Sequence, residues 1–237
     1  TGQGAIEAIV AVREGTAGEG GGPFRSLFDF CARVDRQRVN KRVVEALVKA
    51  GAFDALHPEG PAARAALLAS GGLAFDWAEA QAVNALQGGL FDFADGDTHG
   101  SSTQEPAFVH AAPFGVRERL THEKAALGFY LSGHLFDAWA DEVRRFARQP
   151  FAELVDSREP QLLAGIVTDP RTVSGMRGRV VIFKLDDGTE AIEAVANEDL
   201  FEGRRELAQE DQLVVVQGRV QPDRFTGGLR LNVTQVW

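Results

Sequence analysis

The sequence predicts an α+β protein of several domains, in which helical modules precede a five-stranded β-barrel. Apolar residues recur at helical spacing through much of the first 160 residues. From Leu162 onward they follow the two-residue period of β-strands instead. At 237 residues the chain is long enough for two or three domains, each with its own hydrophobic core.

The first part of the chain has the start and stop signals of short helices. An apolar face over residues 5–13 predicts one helix, which a glycine-rich stretch then ends. Ser26 is a predicted N-cap of a second helix. A third helix follows Asn40 and stops at Gly51, because glycine adopts the left-handed C-terminal conformation without steric cost. Residues 62–77 are also predicted to be helical.

The middle of the chain is predicted to alternate between a linker and helices. From Gly88 to Pro113 small and polar residues predominate, which is typical of a flexible linker. One helix is then predicted to end near Gly133, and another, with Phe136, Trp139, Val143 and Phe146 on its apolar face, to end before Pro150. The predicted domain boundaries are therefore 1–86, 87–113, 114–160 and 161–237.

The last part of the chain has the element order of a five-stranded Greek-key barrel, the OB-fold. A first strand is predicted to end before Pro170, and Asp186-Asp187-Gly188 is a hairpin turn signal. The predicted order is strand, strand, strand, helix, strand, strand, over residues 163–167, 179–185, 189–196, 197–208, 213–220 and 228–236.

Composition excludes several classes of protein. No apolar run reaches the roughly 18 residues of a membrane span, and there is no secretion signal. The single cysteine, Cys31, predicts a reducing cytoplasm and no internal disulfide. The net charge of −9 argues against binding nucleic acid over the whole surface. Because the chain opens at Thr1 within a glycine-rich turn, we expect it to be part of a longer protein.

The N-terminal glycines form the first candidate site. Gly2 and Gly4 precede a helix, so backbone N–H groups could approach a phosphate at the positive end of that helix. The same pattern is also that of an ordinary turn. Basic residues near the second and third helices, Arg36, Lys41 and Arg42, are candidates for contacts with the DNA backbone if the fold binds nucleic acid.

A second candidate site is a short peptide within the predicted linker. It begins at Gln87, and Leu90, Phe91 and Phe93 are too apolar for their polar surroundings. A glutamine followed by apolar anchors favours docking in a partner's pocket, although such residues can also tuck onto the protein's own surface.

The barrel supplies a third candidate site, because OB-folds bind single strands with basic and aromatic residues. The candidates near the second strand are Arg177, Arg179, Phe183 and Lys184, and those near the last hairpin are Arg219, Arg224, Phe225 and Arg230. Phe183 has the alternative of a place in the core. Neighbouring carboxylates predict modest, salt-sensitive affinity: Asp186, Asp187, Glu190 and Glu193.

No catalytic motif was found. The five histidines share no spacing that indicates a metal or a catalytic triad. Asp186-Asp187 is interpreted as a turn and not as a pair of metal-binding carboxylates.

Several long blocks, in one consistent order, resemble the C-terminal region of the alpha subunit of bacterial DNA polymerase III, a replicative polymerase of the C family. They are GAIEAIVAVREG, PFRSLFDFCARVD, VNKRVVEALVKAGAFDAL, HEKAALGFYLSGHLFDAW, LDDGTEAIEAV and VVVQGRVQPDRFTGGLRL. The loop Thr172–Arg179 departs from the family in being less basic, which weakens the expectation of strong single-strand binding.

The resemblance implies a role for each candidate site. Gly2 and Gly4 would belong to a helix–hairpin–helix module that contacts duplex DNA. The peptide from Gln87 to Phe93 would dock on the sliding clamp, and the barrel would receive single-stranded template. Other replisome subunits are further implied partners. The nucleotidyltransferase chemistry and its Mg²⁺ would belong to a palm domain upstream, so this part of the protein would need no cofactor.

Two other functions remain open at this point. One is a free-standing OB-fold protein that binds RNA or tRNA, which would need neither the helical half nor the docking peptide. In the other, both modules are purely structural.

Overall fold

The computed structural model describes residues 2–16, 21–91, 104–175, 178–223 and 227–237. The chain forms two compact units, Thr1–Leu131 and Ser132–Trp237. They do not follow the predicted boundaries, because residues 114–160 are divided between them. None of the helices in the described ranges is long and apolar enough to cross a lipid bilayer.

The first unit is helical, as predicted. Its α-helices are α1 (Gln3–Arg13), α2 (Leu27–Arg33), α3 (Lys41–Lys49), α4 (Arg64–Ala69), α5 (Gly71–Phe91) and α6 (Val116–Leu127), with 3₁₀ turns at Asp54–Leu56 and Gly60–Ala63. Its core is apolar and includes Phe28, Phe30, Cys31, Val44 and Val48.

Local sequence signals set the helix ends in this unit. The Ser26 hydroxyl accepts a hydrogen bond from Asp29 N at 2.9 Å, which confirms the predicted cap of α2. The Asn40 side chain caps α3 through Val43 N at 3.2 Å. Gly51 has a φ of +80°, as the predicted stop after α3 requires. Helix α6 ends earlier than expected, because Gly128, with a φ of +89°, already stops it.

The predicted flexible segment 87–113 is corrected at both of its described ends. Residues 87–91 continue helix α5, since a glycine costs a helix only about 1 kcal/mol relative to alanine and does not by itself end it. On the other side of residues 92–103, Val109 N donates to the buried Ser70 hydroxyl at 2.8 Å. Phe108 packs against Phe28, with ring centroids 5.3 Å apart. Both contacts hold this stretch against the helical core.

The second unit is a closed five-stranded barrel, as predicted. Its strands are β1 (Gln161–Gly175), β2 (Gly178–Asp186), β3 (Ala191–Asn197), β4 (Leu213–Pro222) and β5 (Leu229–Val236), in the order β1-β2-β3-β5-β4. Neighbouring strands are antiparallel except β3 and β5, which are parallel. The barrel closes through the pairing of β1 with β4.

Two predicted boundaries in the barrel are wrong. Strand β1 does not end before Pro170; it continues across an irregularity between Thr168 and Arg171. Proline lacks only a backbone donor, so a strand tolerates it at a bulge. The predicted helix 197–208 is replaced by two 3₁₀ turns, Glu198–Phe201 and Arg205–Ala208.

The segment before the barrel packs as irregular structure. The predicted helix around Phe136–Phe146 is a 3₁₀ turn, Leu135–Ala138, followed by the single α-helical turn α7, Ala140–Val143. Another 3₁₀ turn covers Phe151–Glu153, and Phe151 and Leu154 belong to the barrel core. These residues therefore fold with the barrel.

Candidate nucleic-acid interface

The register of the barrel strands brings polar and charged residues together on its outer surface. Pairing places Arg171 beside Ile182, Ile182 beside Val195, and Val195 beside Asn232. The next row is made by Lys184, Glu193 and Arg230. Side chains two residues apart in a strand share a face. We call this surface the outer face, and its members are Arg171, Ile182, Lys184, Glu193, Val195, Arg219, Gln221, Arg230 and Asn232.

Positive charge predominates on the outer face, with four cations and one carboxylate among these residues. Arg171 donates to Glu193 Oε2 at 3.2 Å, and Arg230 donates to Glu193 Oε1 at 2.6 Å. Glu193 thus holds two guanidinium groups in place. Lys184 is exposed and forms no ion pair with the described residues. Half-buried Ile182 and Val195 form an apolar strip between the charges.

The structure decides the place of Phe183 and separates Arg179 from the outer face. Phe183 is only 1% exposed and packs in the barrel core near Phe201, so it cannot stack on a base. Its neighbours Ile182 and Lys184 point outward, which sends its ring inward. The side chain of Arg179 belongs to the same series as Phe183 and forms an ion pair with Glu198 at 3.4 Å. It therefore does not lie on the outer face.

The remaining predicted contacts of the barrel, Arg177, Arg224 and Phe225, lie outside the described residues. The predicted turn is confirmed: buried Asp187 accepts hydrogen bonds from Thr189 N at 3.0 Å and from Phe151 N at 3.0 Å. It holds the β2–β3 hairpin. Among the described residues, no group of three or more His, Cys, Asp or Glu side chains is placed to hold a metal ion.

The helical unit presents its predicted contacts on exposed elements. Gly2 is the N-cap of α1 and Gly4 lies in its first turn. A Cβ atom added to either would meet nothing within 4 Å, so internal packing does not require glycine there. Arg36 lies in the α2–α3 hairpin, and Lys41 and Arg42 open α3. These three side chains are exposed and have no ion-pair partner in the described ranges.

A buried ionic network holds the helical unit together behind these surfaces. Arg64 is 3% exposed and donates to both carboxylate oxygens of Asp54, at 2.8 and 2.6 Å. It also donates to Glu123 Oε1 at 2.7 Å. The hydrogen bonds with Asp54 raise the pKa of Arg64; burial opposes them and the bond to Glu123 adds to them. The network ties α4 to α6.

The predicted docking peptide lies at the end of a helix. Gln87, Leu90 and Phe91 fall in the last turns of α5, and Phe93 lies outside the described residues. Its role as a docking site stays a prediction.

Comparison with known proteins identifies the family. Residues 1–63 match a helix–hairpin–helix motif, and residues 162–237 match an OB-fold nucleic acid binding domain. DNA polymerase III subunit alpha of Neisseria meningitidis serogroup A is 36% identical over 238 residues, which cover 100% of this chain and 20% of that protein. The Pseudomonas aeruginosa subunit is 40% identical over 99% of this chain and 21% of that protein. The chain belongs to the DNA polymerase III alpha-subunit family, as part of its C-terminal region.

The chain spans about a fifth of the length of these alpha subunits. Because they match the helical half as well as the barrel, the alternative of a free-standing OB-fold protein is disfavoured. Among solved structures, a small single-stranded DNA-binding protein from Streptomyces coelicolor covers 34% of this chain and 93% of its own, at 20% identity. Its TM-score of 0.30 is too low to support an argument about function.

The sequence does not predict every residue of the candidate interface in this member of the alpha-subunit family. The sequence analysis does not include Arg171, Ile182 and Val195 among the contacts, and it predicts Glu193 only as an unfavourable charge. The signal was present, because Val181, Phe183 and Leu185 alternate with Ile182 and Lys184. If the apolar residues Val181, Phe183 and Leu185 face the core, the strand period of two places the side chains of Ile182 and Lys184 on the outside.

Proposed function

We propose that this chain is the DNA-binding and clamp-binding portion of a bacterial replicative DNA polymerase, and that its barrel guides single-stranded template. The outer face is the observation that carries the proposal. It joins four cations to an apolar strip on the strands that OB-folds use for single strands. The cations would follow the phosphates, and the strip would contact sugars and bases.

Binding to single-stranded DNA tests this role of the barrel. We expect the full chain to bind a short fluorescein-labelled oligo-dT at low salt, measured by fluorescence anisotropy. Arg171→Ala and Lys184→Ala should each remove one phosphate contact, which lowers the slope of log affinity against log salt by roughly 0.7. Arg204→Ala is the matched control, because Arg204 is exposed but lies outside the outer face. Equal effects of the three substitutions would argue against the proposal.

In the helical unit, the proposed ligand is the backbone of duplex DNA. The open glycines at the start of α1 leave room for a phosphate, and Arg36, Lys41 and Arg42 provide positive charge that no described carboxylate pairs with. Replacing these three basic residues by alanine should reduce the salt slope for duplex binding by roughly 0.9 for every phosphate that is no longer neutralised. An unchanged slope would remove them from the interface.

The clamp-binding role rests on the family resemblance of the peptide Gln87–Phe93. We expect the full chain to bind a bacterial sliding clamp in surface plasmon resonance, and Leu90→Ala with Phe91→Ala to weaken that binding at least tenfold. Val83→Ala, which changes an exposed apolar residue of the same helix, should leave it unchanged. Clamp binding that survives the double substitution would refute this role. Such a polymerase works with other replisome subunits in the cytoplasm, where we place this protein.

A further inference from the structure

The segment before the barrel exposes an aromatic ring among arginines. Arg144, Arg145, Phe146 and Arg148 follow α7 in the chain, and we call them the arginine–phenylalanine patch. The three arginines are exposed, and Phe146 is 50% exposed. The sequence pattern predicts Phe146 on the apolar face of a helix. The structure instead turns it to the surface, so the ring is available to a ligand.

Two buried neighbours hold the patch in position. Val143 and Ala147 are 4% and 7% exposed, and Ala147 N donates to Val143 O at 2.9 Å. Val143 and Ala147 pack the buried side of this turn, whereas the side chains of the patch lie on its exposed side. Arg148 Nε donates to Arg145 O at 3.3 Å, which adds a further restraint within the patch. The arrangement is therefore part of the fold of the barrel unit.

The arginines of the patch have no ion-pair partner among the described residues. In the part of the chain that the structure describes, Arg144, Arg145 and Arg148 form no ion pair, although the exposed Asp141 and Glu142 immediately precede them. Phe146 likewise has no ring–ring or cation–π contact with the described residues. Three guanidinium groups without an ion pair among the described residues, and one exposed ring, thus share a short stretch of surface.

We infer that the arginine–phenylalanine patch is a second binding site for single-stranded nucleic acid, built from residues other than those of the outer face. Single strands offer both chemistries that the patch needs: phosphates for the guanidinium groups, and bases that stack on an aromatic ring. Neither requires a particular base, so recognition should be independent of sequence. The inference rests on the proposed function, because both sites would contact the same class of ligand.

Oligo-dT binding by the full chain, measured by anisotropy, tests the patch. We expect Phe146→Ala to weaken binding on the order of tenfold, as the removal of one stacked base does, and Phe146→Tyr to retain it. Arg144→Ala with Arg145→Ala should lower the salt slope by roughly 1.4, at 0.7 per phosphate contact. Arg158→Ala, an exposed arginine without an ion pair in the described ranges, is the control. The substituted residues are all exposed, so folding should be preserved, which circular dichroism checks.

The outcomes separate the inference from the proposed function. If Lys184→Ala weakens binding but the patch variants match Arg158→Ala, the patch is not a site, whereas the outer face remains one. If the unaltered chain does not bind oligo-dT at low salt, both fail. If poly-L-glutamate competes as well as unlabelled oligo-dT for the patch, tested in a Lys184→Ala background, the patch binds acidic polypeptides and the inference is overturned.

Discussion

Individual buried charges decide how the helical unit is held together. Glu123 has no exposed surface, and its two oxygens join Arg64 to the backbone N–H of Leu131. Removing one partner of a buried ion pair leaves the other charge buried without compensation. The resulting loss of folding stability exceeds the net stability that the intact pair contributes.

We expect Glu123→Ala to lower the free energy of unfolding of the helical unit by about 3–5 kcal/mol. Amide hydrogen–deuterium exchange should become faster in Arg64–Ala69 and Val116–Leu127, because the network joins these two helices. Glu118→Ala removes an exposed carboxylate from the same helix and should change little. Equal protection in the two variants would mean that the network does not stabilise the unit.

Asp29 makes the stability of this unit depend on pH. Burial raises the pKa of Asp29, but hydrogen bonds from Arg25 and Arg33 outweigh it, so the pKa lies below its ordinary value of 3.8. A carboxylate with a lowered pKa stabilises the fold above 3.8, and this contribution is lost as the pH falls through the lower, folded-state pKa.

Urea denaturation at a series of acidic pH values, followed by far-ultraviolet circular dichroism, would detect this contribution, because the α-helices of six residues or more all lie in this unit among the described residues. Asp29→Asn should be less stable than the unaltered chain at neutral pH, and its stability should fall less steeply below about pH 4. Asp35→Asn, at an exposed carboxylate, should keep the original profile. Parallel profiles for Asp29→Asn and the unaltered chain would contradict the prediction.

At the scale of elements, close strand contacts set the shape of the barrel. Gly218 lies at the irregularity where β4 pairs with β5, and a Cβ atom there would come within 3.0 Å of the carbonyl group of Asn232. Backbone atoms cannot yield as the end of a flexible side chain can. Glycine is therefore required at this position by packing, unlike at Gly2 and Gly4.

Gly218→Ala should destabilise the barrel by about 1–3 kcal/mol, the usual cost of overpacking. Increased amide exchange in β4 and β5 is the expected signature. Gln217→Ala, one residue earlier in the same strand, introduces no such overlap and provides the comparison. A fully stable Gly218→Ala variant would show that the two strands can separate without loss of stability.

At the scale of the whole molecule, one chain carries two modules with different proposed ligands. The helical unit would bind duplex DNA and the barrel would bind a single strand. Binding of one module raises the effective concentration of the other at the same DNA molecule. The net charge of −9 opposes non-specific association, so this gain should favour DNA that offers both ligands.

We therefore expect a primer–template duplex with a single-stranded overhang to bind at least roughly tenfold more tightly than the blunt duplex or the single strand alone. Lys184→Ala should remove much of this advantage while leaving the affinity for blunt duplex unchanged. Competition anisotropy with the three DNAs measures both effects. An overhang that adds no affinity would indicate that the modules do not act on one DNA.

Much of the architecture follows from the sequence alone, because its signals are local. The alternation around Val181–Leu185, the Asp-Asp-Gly turn and the caps at Ser26 and Asn40 depend on residues close in the chain. They predict the barrel, its hairpin and the helix starts. At Gly88 and Pro170 the local signal wrongly predicts the end of an element, because one unfavourable residue does not by itself end a helix or a strand.

The tertiary structure decided what depends on distant residues. Arg64 and Glu123 are 59 positions apart, and only folding places their charges in contact. The outer face combines residues from several strands, so its composition depends on register across the sheet and not on any one segment. Phe146 has the helical spacing of a core residue, but α7 is a single turn anchored by Val143, and the ring faces outward. Burial depends on how distant residues pack, and for this reason only the tertiary structure defines the full set of residues on the candidate interface.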